Sequence, residues 1–104
     1  MKLTHTELQA LDAIITAGTA TTGERSEGWW SREILMYAKD CTLTPRQFSA
    51  ACGSLAKKGA TSSYEHERGQ WHISPTAAGL AAYDEALDIE KLRMVDQAML
   101  ANAR

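Results

Sequence analysis

Arg46, Gln47, Ser54 and Lys57 are the residues whose types and spacing best suit a chemistry, and that chemistry is recognition rather than reaction. Wound as a helix at about 100° per residue, the stretch places these four on one face with Ala50 and Gly53. Phe48, Cys52 and Leu55 fall on the other, with Ala51 and Ala56 at its edges. The outer face is narrow and small at its middle, with hydrogen-bonding groups around it. Such a surface fits a DNA major groove about 12 Å wide, where Arg and Gln side chains meet base edges. Arg68 and the pair Lys57-Lys58 add charges suited to phosphates, although a basic pair also suits a solvated helix end. The expected DNA-contacting set is therefore Arg46, Gln47, Ala50, Gly53, Ser54, Lys57, Lys58 and Arg68. Gly53 disfavours a helix interior by about 1 kcal/mol. Close approach of a partner would explain it, and so would packing against the rest of the chain.

Other chemistries fit less well. Cys41, Cys52, His66 and His72 could ligate a metal, but their spacings match no compact ligand motif. The cysteines read as reduced core residues, and the histidines as structural or surface groups. Trp29, Trp30 and Trp71 could stack on bases. Trp30 and Trp71 are instead expected to cover the core, while Trp29 is open between the two roles. No nucleophile–base pair, Gly-rich phosphate loop or metal spacing supports catalysis. The expectation is a non-enzyme with no cofactor and no metal. Asp84, Glu85, Asp88 and Glu90 read as a solvated helix face.

The elements that must hold the recognition face are marked by caps. Thr4 and Glu7 have capping-box spacing, with Leu3 and Leu8 as its hydrophobic staple. Leu8, Leu11, Ile14 and Ile15 then form one stripe, predicting a first helix over about 5–17, ended by Gly18. Residues 18–29 lack a period and read as an exposed, mobile loop. Ser31 is expected to cap a second helix over about 32–39, with Ile34, Leu35 and Ala38 inward. Thr44-Pro45-Arg46-Gln47 is another capping box with proline at the first helical position. It opens a third helix over about 45–58, which stops at Gly59. Two β-prone stretches, about 60–64 and 70–73, flank a polar turn containing Gly69 and predict a hairpin. Ser74-Pro75 is expected to open a last helix, locally weakened by Gly79, that runs to about residue 100. Its apolar positions include Leu80, Tyr83, Leu87, Leu92, Val95 and Met99, and a break near Asp88 is allowed.

A hairpin directly after the third helix distinguishes a winged helix from a plain three-helix bundle. Leu43-Thr44-Pro45-Arg46-Gln47-Phe48-Ser49, Leu55-Ala56-Lys57-Lys58-Gly59 and Trp71-His72-Ile73-Ser74-Pro75-Thr76-Ala77-Ala78-Gly79-Leu80 carry a resemblance. The stretch from Leu43 to Leu80 resembles the winged helix-turn-helix regions of the MarR-like transcriptional regulators. The fold class expected is mainly α with a small β-hairpin. It has a helix-turn-helix at about 31–58, a wing at about 60–73 and a long C-terminal helix at about 75–100, all in one domain. The resemblance implies a regulator that reads duplex DNA through the third helix with the wing on the backbone. Family members often carry basic residues at the wing tip, whereas Glu65 and Glu67 stand beside Arg68 here.

Size and charge frame these expectations. A chain of 104 residues, 44% hydrophobic and 23% charged, suits one globular domain. No apolar run approaches the roughly 18–20 residues that cross a bilayer, and no apolar signal segment opens the chain, so a cytoplasmic location is expected. Net charge is −2. Residues 1–40 carry four basic against six acidic side chains, and residues 74–104 three against five, each a net −2. Residues 41–73 carry four against two, a net +2, and contain the recognition face. That concentration favours a sequence-specific DNA-binding homodimer joined through the C-terminal helix. The acidic total and the Glu-bearing wing tip favour the alternative, a protein-interaction adaptor or inhibitor, phage-related for example, without DNA binding.

Overall fold

The computed structural model of the protein describes residues 1–88. In chain order the elements are α1 (His5–Thr22), β1 (Trp29–Trp30), α2 (Ser31–Tyr37), α3 (Pro45–Lys57), β2 (Thr61–Glu67) and β3 (Gln70–Pro75). A further helix, α4, begins at residue 77 and is described to 88. The strands form one antiparallel sheet in the order β1-β3-β2. The described part is thus mainly helical with a small sheet, arranged as a winged helix-turn-helix. The expected course of the last helix from 89 to 100 lies outside the described residues.

α1 starts as its capping box predicts: Thr4 Oγ1 accepts from Glu7 N at 3.2 Å, and Glu7 Oε1 accepts from Thr4 N at 2.8 Å. Its end differs from expectation. Gly18 lies buried inside the helix, and the cap is Gly23, at φ 80° with its N–H bonded to Thr19 O. Thr21 and Thr22 hydroxyls bond back to Ala17 and Gly18 carbonyls and carry the helix on. Gly18 serves close approach instead: a Cβ there would stand 2.5 Å from the Glu27 carbonyl oxygen, where the loop returns across α1.

That loop is shorter than expected and is tied down. Arg25 pairs with Asp84 of α4 at 2.6 Å and lies over the Tyr83 ring. The Tyr83 hydroxyl donates to Asp12 of α1, and burial, aided by this bond, pushes its phenol up to about 12. The loop ends in β1, whose two residues pair with Ile73 and His72 of β3. So short a strand has no period to read. Ser31 is the first residue of α2 rather than its cap; Trp30 occupies that position and makes no side-chain cap bond.

The core is one cluster in which Leu11 and Ile14 of α1, Ile34 of α2 and Leu55 of α3 are fully buried. Burying each contributes roughly 1.5–3 kcal/mol. Leu35 and Leu43 pack against it. α3 stops at Lys58 and turns through Gly59, at φ 77°, into the hairpin. Ser74-Pro75 does not open α4, because both residues belong to β3. Thr76 does: its hydroxyl accepts from Gly79 N and donates to the Gly59 carbonyl. Gly79 lets α4 lie directly on the carbonyl of Ala60, a contact that a Cβ would block.

Candidate nucleic-acid interface

α3 sits between two grooves. One, of about 660 Å³, runs between α3, the start of α2 and the wing strands. The other, of about 620 Å³, separates α3 from the start of α1. The ridge between them follows from helical spacing. Phe48, Ala51 and Leu55 are buried, which turns Arg46, Ala50, Gly53 and Lys57 outward along one line. Gln47 and Ser54 flank it on the α1 side, while Ser49 and Ala56 flank it on the wing side. All eight are exposed.

The N-terminal end of the ridge is rigid. Thr44 Oγ1 accepts from Gln47 N at 3.2 Å, and Gln47 Oε1 accepts from Thr44 N at 2.9 Å. The Gln47 carbonyl oxygen is thereby committed to the cap, and its amide N–H₂ is the group left to face a partner. Gly53 has open space around it: a Cβ built there meets nothing within 4 Å among the described residues. Packing of α3 against the described residues therefore does not account for this glycine.

Electrostatics separate the expected phosphate contacts. The Lys58 ammonium donates to Glu7 Oε1 at 2.6 Å and to the Lys2 carbonyl at 2.9 Å. Burial alone would raise the Glu7 carboxyl, but the bonds from Lys58 and Thr4 outweigh it and hold the group below its usual range. Lys58 is thus an exposed bolt between α3 and α1, and its expected phosphate contact would compete with Glu7 for the same ammonium. The other described ion pair is Arg25 with Asp84. Arg32, Arg46, Lys57 and Arg68 have no carboxylate partner among the described residues. Arg68 stands exposed in the turn between β2 and β3, next to exposed Glu67.

The tryptophans depart from expectation. Trp71 is 43% exposed and faces the larger groove rather than covering the core. Trp30 lies on the opposite sheet face, 5.1 Å from His72 and 6.3 Å from Tyr64 between ring centres. Trp29 is the one packed against the core, with a buried indole N–H that has no partner among the described residues. The alternation of β3 decides this: Ile73 and Trp71 share the α3 side, and His72 takes the other. His66 and His72 stay with this aromatic patch. No group of three potential metal-binding side chains forms among the described residues. Cys41 and Cys52 are free thiols, and burial pushes Cys52 up to about 12, so it stays protonated in the groove floor.

Sequence reasoning did not single out Arg32 or Ser49 and set Trp71 aside as a cover for the core, whereas all three line the larger groove beside α3. Ser49 was within reach of the same helical wheel. Arg32 was not, because it belongs to the net-negative residues 1–40 and only the packing of α2 on β3 brings it beside the wing.

No family model matches the chain, and no curated protein matches it. Solved structures do. The fold is similar to that of BpsR from Bordetella bronchiseptica, whose DNA binding is regulated by 6-hydroxynicotinic acid, with TM-score 0.66 and 13% identity. That match covers 91% of this chain, which spans 60% of the Bordetella protein's length. A Ralstonia eutropha JMP134 protein named for DNA binding matches with TM-score 0.60 and 16% identity, over 82% of this chain and 98% of its own. hsRosR, in the hsRosR-S1 complex structure, matches with TM-score 0.59 and 15% identity, over 98% and 96%. At 13–16% identity these likenesses carry the fold, and that fold is a winged helix.

Proposed function

We propose that this chain is a DNA-binding transcriptional regulator of MarR-like kind, a non-enzyme that reads duplex DNA through α3. The observation that carries the reading is the exposed ridge Arg46–Ala50–Gly53–Lys57, in which, among the described residues, Gly53 has no neighbour to justify it and both cations lack a carboxylate partner. Arg46, Gln47 and Ser54 would meet base edges, and Ala50 and Gly53 would let the helix approach closely. Lys57 and Arg68 would hold phosphates, with the wing along the backbone. The likeness in fold to proteins named for DNA binding supports the same reading.

The expected homodimer would place two such ridges on half-sites about one helical turn apart, roughly 34–36 Å. Its proposed contact, the C-terminal helix, lies outside the described residues from 89 onward, and mass measurement in solution checks it.

Titration of duplex DNA at two salt concentrations tests the function. Binding should be present at low salt and weaken steeply as salt rises, because counterions are released on contact. A double Arg46→Ala/Lys57→Ala variant should lose most of it. Absence of binding by the unaltered protein at low salt would end this reading.

A second reading, a protein-interaction adaptor without DNA binding, is favoured by one observation. Trp30, Tyr64, His66 and His72 form an aromatic patch on the outer sheet face, with Tyr64 54% exposed. Stoichiometric co-purification of a protein, lost on Tyr64→Ala, would support it.

A further inference from the structure

We infer that Arg32 of α2 and Trp71 of the wing form a second contact to the same duplex, a clamp for one backbone phosphodiester and its sugar. This rests on the reading of α3 as the DNA-facing helix and adds a cation that the positive stretch 41–73 does not contain.

Position comes first. Arg32 and Trp71 line the larger groove together with Ser49 and Gly53, so they border the ridge on its wing side. They also line a smaller cleft of about 280 Å³ with Ser31 and Gln70. The Arg32 guanidinium reaches the wing turn: its Nη2 stands 4.0 Å from where a Cβ on Gly69 would be. One arginine thus spans from the helix-turn-helix to the wing, across the mouth of the groove.

Charge supplies the second argument. Lys58 is neutralised by Glu7, which removes one of the four cations in residues 41–73. The wing itself brings exposed Glu65 and Glu67 against Arg68. A phosphate approaching the wing therefore needs a cation from elsewhere, and Arg32 is exposed there with no carboxylate partner among the described residues. A guanidinium can donate two parallel bonds to a phosphodiester, which suits a fixed backbone contact. Glu33 lines the smaller cleft as well and opposes the same anion.

Trp71 completes the site. Trp71 is 43% exposed and lines the groove, and the core takes Ile73 from the same strand face instead. A flat apolar surface beside a cation matches the alternation of deoxyribose and phosphate along a strand.

Affinity for one preferred and one unrelated duplex, measured across a salt series, tests this. Arg32→Ala should weaken both duplexes by a similar factor, about tenfold, and reduce the slope of log affinity against log salt by about one. Arg32→Lys should keep the slope and recover part of the affinity, and Glu33→Gln should strengthen binding. Trp71→Ala should weaken binding with the slope unchanged. Thermal midpoints of the Arg32 variants should match the parent, since among the described residues no side-chain hydrogen bond or ion pair of Arg32 holds the fold. If Arg32→Ala binds as the parent does while Arg46→Ala still impairs binding, the clamp is refuted and the α3 reading stands. If the parent protein itself binds no duplex at low salt, both fall.

Discussion

Gly53 illustrates how a single missing side chain can be assigned to the inside or the outside of a protein. In mid-helix it is unfavourable relative to alanine by roughly 0.5–1 kcal/mol, and nothing within 4 Å among the described residues would obstruct a methyl group. Gly53→Ala should therefore raise stability by about that amount while lowering DNA affinity, since the added methyl lies on the ridge. Thermal denaturation and duplex titration read the two effects separately, and unchanged affinity would remove the close-approach argument. Glu7 works in the opposite direction, inward. Its carboxyl is held below its usual value of 4.5 by Lys58 and Thr4. The stability it contributes is fully present above the unfolded value and is lost as pH falls through the lowered folded value. Glu7→Gln should destabilise by about 1–2 kcal/mol at neutral pH, the lower part of the charged hydrogen-bond range because Lys58 is partly solvated. It should also flatten the acid limb of a stability–pH curve, which denaturant titration at several pH values would measure.

At the scale of the element, α3 is the part whose ends matter most. Its first turn carries both Arg46 and Gln47, and the Thr44–Gln47 capping box fixes that turn. Thr44→Ala should reduce stability by about 1 kcal/mol and, by fraying the turn, weaken duplex binding beyond what that loss explains. Binding measured well below the thermal midpoint separates these effects. The capping boxes of α1 and α3 were legible because their residues lie three apart in one local segment. The end of α1 was not. Gly18 offers the same local signal as a helix stop, yet the close return of the loop at Glu27 explains it, while Gly23 takes the left-handed turn. Likewise Ser74-Pro75 has the local form of a helix start, but pairing of Ser74 and Pro75 with Ser62 and Thr61 keeps both in the sheet.

For the molecule as a whole, α1, α2, α3 and β3 share one cluster of buried side chains, with Leu55 fully enclosed. Leu55→Ala should lower stability by about 2–5 kcal/mol. The loss should appear in one transition for helix and aromatic signals alike, which far- and near-ultraviolet circular dichroism would compare. Noncoincident transitions would show that wing and helices unfold apart.

Helix periods, caps and the glycine of the hairpin turn are properties of neighbouring residues, so the order of helices and wing, and the outward face of α3, were determined by the sequence alone. Which charges remain available was decided only in three dimensions. Lys58 meets Glu7 across 51 positions, and Arg25 meets Asp84 across 59. Arg32 reaches the wing because α2 packs on β3. Coulombic pairing depends on distance in space, and no local pattern encodes it.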